Sequence, residues 1–353
     1  MHINKLLLNN FRSYSERILE FSPQNNLILG KNGSGKSNIL EAIYFLSTGK
    51  SFRSATLPQL LKWQHPYTIV RSKITRKQQD LELELQLIRE EGSASIKRKF
   101  LIDKVEKSRK NYLGTFKVVI FQPEDIRLVT GSPSRRREYL DDTFSSIDWR
   151  YASALSQYNK ALKHRNELLD QIRQMTNTKN ELFYWDQSLI KNDKIIHDHR
   201  LAFTRHVNSF YSRHTHPEIQ TLSLNYKPSI LSQEKLDSNY SLDLSRGFTQ
   251  SGCHRDDFSF DSSIFPYEDK NLSNWGSRGQ QRLAVLALRL AQIQYLEKIY
   301  QEKPLLLLDD IFSELDPEHQ QLVSHLSLNY QTIFTSSEDS SAFYLPSAKI
   351  IRL

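Results

Sequence analysis

The stretch G-K-N-G-S-G-K-S at residues 30–37 matches the phosphate-binding pattern G-x-x-x-x-G-K-[ST] at every fixed position. An apolar run typical of a strand ends just before it, and apolar residues at helical spacing follow over residues 37–47. In such a strand–loop–helix unit the glycines let successive backbone N–H groups point at an anion, and the helix N-terminus adds about half a positive charge. The stretch therefore predicts a nucleoside triphosphate site in an α/β fold.

Two side chains of this loop have distinct predicted roles. Lys36 is expected to neutralise β- and γ-phosphate oxygens, and the Ser37 hydroxyl is expected to bind Mg²⁺. The predicted nucleotide-binding residues are Gly30, Lys31, Asn32, Gly33, Ser34, Gly35, Lys36 and Ser37.

The run L-L-L-L-D-D at residues 305–310 supplies the carboxylates that such a loop needs. Four apolar residues predict a buried strand, and the two acids follow at its carboxyl end, where ligands bind in parallel α/β sheets. Asp309 is predicted to hold Mg²⁺, and Asp310 to orient or deprotonate the attacking water. No [NT]-K-x-D motif for guanine occurs in the chain, which favours ATP.

The separation of these two elements indicates an insertion. Lys36 and Asp309 are 273 residues apart, so the nucleotide-binding domain is expected to be split in sequence. Residues 149–213 show two apolar stripes at helical spacing around a turn-like segment, which predicts an antiparallel helix pair of about 25 residues per arm, about 38 Å long. The predicted domains are the P-loop part with a basic strand-rich subregion, the helical-hairpin arm and the C-terminal part of the head, at residues 1–148, 149–213 and 214–353.

A third motif, S-R-G-Q-Q at residues 277–281, precedes a long amphipathic pattern over residues 279–299. It resembles the signature motif of ABC-type ATPases, in which Ser and Gly at a helix N-terminus hold a γ-phosphate. That resemblance implies that a second copy of the chain carries the ATP that the motif contacts, so that ATP joins a head-to-tail dimer. The residues implied in this contact are Ser277, Arg278, Gly279 and Gln280.

Two further features fit that arrangement. The segment S-E-L-D at residues 313–316 resembles the loop that lines the dimer seam of such ATPases. Gln122 follows the predicted strand K-V-V-I-F at residues 117–121, where these proteins place a Gln that senses Mg²⁺ and water. We therefore add Gln122 to Asp310 as a candidate catalytic residue.

The resemblance extends along the whole chain. Besides the motifs above, it rests on N-F-R-S-Y (10–14), F-Q-P-E-D (121–125), G-S-P (131–133) leading into R-R-R (135–137), and S-G-C-H-R-D-D (251–257). In this order they resemble the RecF family of bacterial recombination-mediator ATPases, short-armed relatives of the SMC proteins. The fold implied is an ABC-type ATPase head, split in sequence, with an inserted short coiled-coil arm.

The resemblance also implies a function. Members are expected to form ATP-dependent homodimers that clamp single-stranded, gapped or duplex DNA, and to act in replication and gap repair. They are also expected to work with RecO and RecR to load RecA and to support SOS induction. Asp310 in place of Glu, and the T-S-S run at residues 335–337 in place of a switch His, predict slow hydrolysis, so a weak, DNA-stimulated ATPase used as a switch is expected.

Charge supports a nucleic-acid partner. The 353 residues include 48 Lys or Arg and 40 Asp or Glu, and residues 1–117 contain 21 basic against 10 acidic residues. No motif for reading bases is evident, so binding is expected to be sequence-independent. An ordinary solvated role is the alternative for each basic side chain. The predicted DNA contacts are Lys97, Arg98, Lys99, Lys104, Lys107, Arg109 and Lys110.

Composition also indicates the compartment. The single cysteine, Cys253, excludes an internal disulfide, and no apolar run approaches the ~20 residues that cross a bilayer. A cytoplasmic protein without membrane contact is expected. The alternative is an ATPase subunit of another assembly, either a transporter or a chromosome-organising complex, although the latter needs arms of hundreds of residues.

Overall fold

The computed structural model describes residues 1–53, 56–90, 95–313 and 317–353, without the side chains at 317, 318, 322, 325 and 326. Glu314, Leu315 and Asp316 of the predicted seam loop therefore lie outside the described residues. The strands are β1 (His2–Phe11), β2 (Tyr14–Glu20), β3 (Asn25–Leu29), β4 (Tyr67–Arg76), β5 (Gln79–Arg89), β6 (Ile96–Ile102), β7 (Val105–Lys107), β8 (Val118–Phe121), β9 (Leu222–Lys227), β10 (Asp257–Ser262), β11 (Leu305–Leu308), β12 (Thr332–Ser336) and β13 (Lys349–Arg352). The helices are α1 (Lys36–Thr48), α2 (Arg109–Tyr112), α3 (Arg127–Thr130), α4 (Pro133–Ser145), α5 (Trp149–Arg173), α6 (Leu182–Arg213), α7 (Pro217–Gln220), α8 (Gln233–Arg246), α9 (Leu272–Trp275), α10 (Arg278–Tyr300) and α11 (Pro317–Ser327).

The chain divides into two compact units. Unit 1 comprises residues 1–125 and 285–353, and unit 2 comprises residues 126–284. The three-part division predicted from the sequence stays a prediction. Among the described helices, none has both the length and the apolar character required to span a bilayer.

Unit 1 contains a parallel sheet in the order β13-β3-β12-β11-β8. All four residues of β11 are buried, as expected for a central strand covered on both faces. Because the strands are parallel, their carboxyl ends meet at one edge. The segments that follow β3, β12, β11 and β8 therefore lie along the same edge, although they are far apart in the chain.

An antiparallel sheet in the order β2-β1-β4-β5-β6-β7 completes unit 1. The predicted hairpin between residues 81–88 and 95–103 is present, with Leu85 opposite Phe100. Strand β4 was not apparent in the sequence, because polar Thr68 and Ser72 take two of its inward positions. Their hydroxyls donate to carbonyl oxygens of β1, at 2.9 and 2.8 Å, which satisfies them in the core.

Helix α1 contacts strands of both sheets in unit 1. Its apolar side chains are withdrawn from solvent, including Ile39, Leu40 and Ile43 at 0% exposure. Burial of each such side chain contributes about 1.5–3 kcal/mol. The packing therefore holds the helix that begins at Lys36 firmly against both sheets.

Unit 2 contains helices over both predicted stripes. Helix α5 has 25 residues and α6 has 32, and the two pack against each other. Residues 214–260, which were hard to interpret from the sequence, include β9 and the start of β10, paired antiparallel, with α8 between them.

Buried charges join the elements of unit 2. The Asp256 carboxylate is fully buried and accepts hydrogen bonds from Arg200 Nη1 at 2.6 Å and from the Tyr226 hydroxyl. His197 lies between Asp256 and Asp193, with its ring nitrogens 3.0 and 2.9 Å from their carboxylate oxygens. Burial by itself would lower the pKa of His197, but the hydrogen bonds that its ring donates to both carboxylates raise it to about 9.

The charge on His197 predicts how stability changes with pH. The folded-state pKa of about 9 lies above the ordinary 6.5, so the stabilisation is complete below about pH 6.5 and is lost as pH rises through about 9. We expect His197→Gln to lower the free energy of unfolding by roughly 1–3 kcal/mol near pH 6.5, and by less near pH 10. Denaturant unfolding of both proteins across this range measures the difference.

The wild type must be measured beside the variant, because Lys117 in unit 1 changes the free energy of unfolding with pH in the direction opposite to His197. Burial lowers the pKa of Lys117 from 10.5 to about 8. Its contribution to the free energy of unfolding therefore increases as pH rises from about 8 to 10.5. A difference between wild type and His197→Gln that did not change with pH would contradict a protonated His197.

Candidate functional site

The loop at residues 30–37 folds around the ammonium group of Lys36. Strand β3 ends at Leu29 and α1 begins at Lys36. The Lys36 Nζ atom donates to the carbonyl oxygens of Gly30 and Lys31, at 2.7 and 3.1 Å. The ammonium therefore lies where a triphosphate held by the loop would require a counter-charge.

Two positions of the loop have too little room for a side chain, which explains why they are glycine. Gly35 has φ 101°, and a Cβ there would lie 2.5 Å from the Tyr14 hydroxyl oxygen. A Cβ on Gly30 would lie 2.7 Å from Ser34 Oγ. Ser34 Oγ is itself shielded from solvent and has no hydrogen-bond partner among the described residues. The loop thus fits a triphosphate, because an anion would satisfy this hydroxyl and the backbone N–H groups beside it.

Two hydroxyls converge on the Asp309 carboxylate at the carboxyl edge of the parallel sheet. Ser37 Oγ donates to Asp309 Oδ1 at 3.0 Å, and Thr335 Oγ1 donates to the same oxygen at 2.7 Å. The structure therefore brings together the predicted metal ligands Ser37 and Asp309 from distant parts of the chain. A hydroxyl and a carboxylate are oxygen ligands of the kind Mg²⁺ takes, leaving other positions for water and phosphate.

The electrostatic setting of Asp309 also suits a cation. Burial raises the pKa of its carboxyl group, and the hydrogen bonds from Thr335 and Ser37 oppose that rise. A carboxylate that has lost much of its hydration gains more from a nearby cation than an exposed one does.

Thr335 also sets the position of Asp310. The Asp310 N–H donates to Thr335 Oγ1 at 3.0 Å, so a single hydroxyl links the two acids. Asp310 has φ 48°, a left-handed conformation that costs a non-glycine residue about 1–3 kcal/mol. Backbone strain of this kind is often retained at functional sites, so it is compatible with the catalytic role predicted for Asp310.

Gln122 follows β8 at the same edge of the sheet. Its backbone N–H donates to Asp125 Oδ2 at 3.1 Å, and Arg289 Nη2 donates to the same oxygen at 2.8 Å. None of the hydrogen bonds found among the described residues uses the Gln122 side-chain amide. Sequence reasoning missed the Asp125–Arg289 pair, because its members are 164 residues apart and no local pattern connects them.

The predicted signature residues form the N-terminus of α10, and Ser277 and Gln280 belong to unit 2. The Ser277 N–H donates to Gln280 Oε1 at 2.9 Å, and the Gln280 N–H donates to Ser277 Oγ at 3.2 Å. This reciprocal capping leaves Ser277 and Arg278 exposed, while Gly279 and Gln280 are half-buried. A capped, exposed helix N-terminus is suited to an anionic ligand, and its contact with a second copy stays a prediction.

The predicted DNA-binding residues do not share one face. Lys97 and Lys99 lie on one face of β6, and Arg98 lies on the other, where its Nη1 donates to the Gly49 carbonyl oxygen at 3.2 Å. Arg98 thus bonds the end of α1. The remaining predicted contacts are exposed: Lys104, Lys107, Arg109 and Lys110.

Comparison with known proteins places the chain among named relatives. The family described as "RecF/RecN/SMC N terminal domain" matches residues 2–341. A protein named "DNA replication and repair protein RecF" from Oceanobacillus iheyensis is 33% identical to this chain, and the match covers 92% of this chain and 89% of the relative. The protein of the same name from Alkaliphilus oremlandii is 31% identical, and the match covers 99% of this chain and 100% of the relative. The Streptococcus agalactiae serotype Ia relative of the same name is 34% identical, covering 98% and 94%.

Solved structures show the same fold. A structure titled "recombination mediator protein RecF-ATP in RecFOR pathway" is similar with TM-score 0.82 and 31% identity, covering 96% of this chain and 92% of that one. The corresponding "RecF-ATPrS" structure has TM-score 0.85 and 30% identity, covering 100% and 96%. An Smc head domain from Pyrococcus furiosus, at TM-score 0.54 and 17% identity over 99% and 93%, shares the fold alone.

The shared hydroxyl of Thr335 predicts a measurable effect. Thr335→Val should leave the Asp310 N–H and the Asp309 carboxylate without this partner, because valine keeps the shape but not the hydroxyl. We expect the rate of ATP hydrolysis to fall at least about tenfold, equivalent to ~1.4 kcal/mol, and the Mg²⁺ concentration needed for half-maximal rate to rise. Thr335→Ser is the matched control and should stay near wild type. Equal rates in all three proteins would remove Thr335 from the site.

Proposed function

This chain belongs to the RecF family of DNA replication and repair proteins, and from that premise we propose that it is an ATP-dependent DNA-binding recombination mediator. In this proposal ATP and Mg²⁺ bind at the loop of residues 30–37, two copies close around DNA, and slow hydrolysis releases it. The observation that carries the proposal is the convergence of the Ser37 and Thr335 hydroxyls on Asp309, beside Lys36.

The residues of the candidate site have separate proposed roles in binding and hydrolysing the nucleotide. Backbone N–H groups of the loop and the Lys36 ammonium hold the phosphates, and Ser37 with Asp309 holds Mg²⁺, which offsets phosphate charge. Asp310 accepts the proton of the attacking water, and the Gln122 amide orients that water. The Asp125 carboxylate holds the backbone of Gln122 in place during this step.

The proposed dimer joins two copies through two shared nucleotides. Ser277 and Gly279 at the N-terminus of α10 contact the γ-phosphate bound by the other copy, so each copy seals the site of its partner. The exposure of Ser277 and Arg278 supports this assignment.

DNA binding in the proposal is electrostatic. Lys97, Lys99 and the exposed basic residues of 104–110 contact phosphates, which gives affinity without base reading and with strong dependence on salt. DNA stimulates a weak ATPase, and the protein acts with RecO and RecR to load RecA and to support SOS induction. The structural neighbours titled as belonging to the RecFOR pathway support this assignment of partners.

Replacement of the proposed base tests hydrolysis separately from binding. Asp310→Asn keeps the size of the side chain but accepts a proton poorly, so ATP, dimer and DNA should remain together while hydrolysis falls by roughly 10²–10⁴-fold. Single-turnover hydrolysis and DNA retention after ATP dilution measure the two effects. Hydrolysis at the wild-type rate would exclude Asp310 as the base.

The assignment of the signature residues is tested by sedimentation. Ser277→Arg should block pairing by bulk and by loss of the capping hydroxyl, while each monomer still binds ATP. Lys36→Ala is the control for the opposite defect, because it should abolish ATP binding and with it ATP-dependent pairing. A Ser277→Arg protein that sediments with ATP as the wild type does would refute contact between copies.

A further inference from the structure

The tip of the nucleotide loop is an Asn-Gly dipeptide in a tight turn. The Ser34 N–H donates to the Lys31 carbonyl oxygen at 3.1 Å, which closes the turn. Asn32 and Gly33 are its two central residues, and both are exposed. Of the 11 glycines in the chain, Gly33 alone follows an asparagine. The dipeptide therefore occurs once in the protein, in the loop that would hold the triphosphate.

An Asn-Gly dipeptide can modify itself by deamidation, because glycine has no side chain to shield its backbone nitrogen. The Gly33 nitrogen forms a bond to Asn32 Cγ, and the bond from Cγ to the side-chain amide nitrogen breaks. That amide nitrogen leaves as ammonia, with the proton that the Gly33 nitrogen loses. Water then opens the five-membered imide at either carbonyl carbon, which gives aspartate or isoaspartate. A neutral side chain thus becomes an anion.

The structure leaves both reacting groups of this dipeptide accessible. Among the residues that the structure describes, none shares a hydrogen bond with the Asn32 side-chain amide or with the Gly33 N–H. A Cβ placed on Gly33 would lie more than 4 Å from every described heavy atom outside its chain neighbours. The peptide that joins the two residues therefore has room to rotate until its nitrogen faces Asn32 Cγ.

A bound triphosphate would oppose the reaction. In the proposed function, the backbone N–H groups of residues 30–37 point at phosphate oxygens. A Gly33 nitrogen held in this way cannot turn toward Asn32 Cγ. The empty loop is therefore the form that reacts, and nucleotide protects it.

The product would in turn oppose nucleotide binding. Deamidation places a negative charge at the tip of a loop that must hold a triphosphate, and like charges at this distance repel each other. The isoaspartate form also adds one atom to the backbone path, which changes where the N–H groups of the loop point. The Lys36 ammonium, which is the counter-charge of the loop, would then have a further anion to neutralise.

We propose that Asn32 is a site of spontaneous deamidation that inactivates the nucleotide loop, and that bound ATP protects it. The protection and the inactivation rest on the proposed function, whereas the reaction itself depends only on the loop. How long a copy of the protein remains able to bind ATP then depends on how much of that time its loop is occupied.

Peptide mass spectrometry of the full-length protein, incubated at mildly alkaline pH, measures the reaction. The matched control is Asn329, which is also exposed in a turn but precedes Tyr330. Without nucleotide, deamidation at Asn32 should exceed that at Asn329 at least about tenfold, a barrier difference of ~1.4 kcal/mol. With ATPγS and Mg²⁺ at about ten times the dissociation constant of the analogue, about one-eleventh of the protein is free, so the rate at Asn32 alone should fall about tenfold.

Substitution tests the effect of the product on binding. Asn32→Asp should raise the dissociation constant of a fluorescent ATP analogue at least about tenfold by charge repulsion, with the melting temperature unchanged. Wild-type protein that is aged without nucleotide should lose ATP binding in proportion to the fraction converted at Asn32. Asn32→Gln should lose no ATP binding on ageing, because its longer side chain forms the cyclic imide far more slowly.

The outcomes separate this inference from the proposed function. Deamidation at Asn32 that is no faster than at Asn329 overturns the modification site and leaves the proposed function intact. ATPγS that binds without slowing the reaction overturns the protection, and aged protein that binds ATP as fresh protein does overturns the inactivation. A fresh wild type that binds no ATP overturns the proposed function, even where Asn32 deamidates faster than Asn329.

Discussion

The candidate site depends on one constraint: the half-buried Asp309 carboxylate must keep the two hydroxyl groups that donate to its Oδ1 atom. A parallel sheet meets this constraint, because it ends β3, β12 and β11 at one edge and so brings Ser37, Thr335 and Asp309 together. Each hydroxyl donates to the carboxylate, which offsets part of the cost of burying it. Any slip in the register of these strands would separate the carboxylate from the two hydroxyl groups, so the pairing of the strands and the geometry of the site depend on each other.

Both units contain buried ion pairs. Unit 1 has a continuous apolar core in which α1 packs against both sheets. In unit 2, Arg165 bonds Asp186 and Asp243, and Arg200 bonds Asp141 and Asp256. Buried ion pairs add little net stability, but breaking one is costly, since the remaining charge is left unpaired. We infer that these pairs hold the helix pair in one defined arrangement.

The S-G-C-H-R-D-D segment shows how a motif can be conspicuous in sequence and architectural in structure. His254 Nδ1 lies 2.7 Å from the Tyr158 hydroxyl, and its Nε2 lies 3.1 Å from the Thr249 carbonyl oxygen. Burial lowers the pKa of His254 to about 4, so the ring is neutral at physiological pH. With Asp256 in the buried ionic network, the segment joins loops to the helix pair in unit 2, which is a structural role.

Local patterns determined much of this protein. Apolar runs and helical spacing predicted β3, α1, β11 and the two long helices, because strand and helix periodicity is a property of neighbouring residues. The motifs likewise identified the RecF family, and they predicted the nucleotide loop and Asp309 as its site. Only the tertiary structure placed Thr335 between Asp309 and Asp310, paired Asp125 with Arg289, and showed that β4 is a strand in which polar Thr68 and Ser72 face inward. Each of those depends on which strands pair and which faces meet across tens or hundreds of residues, and these long-range pairings leave no mark in the local sequence.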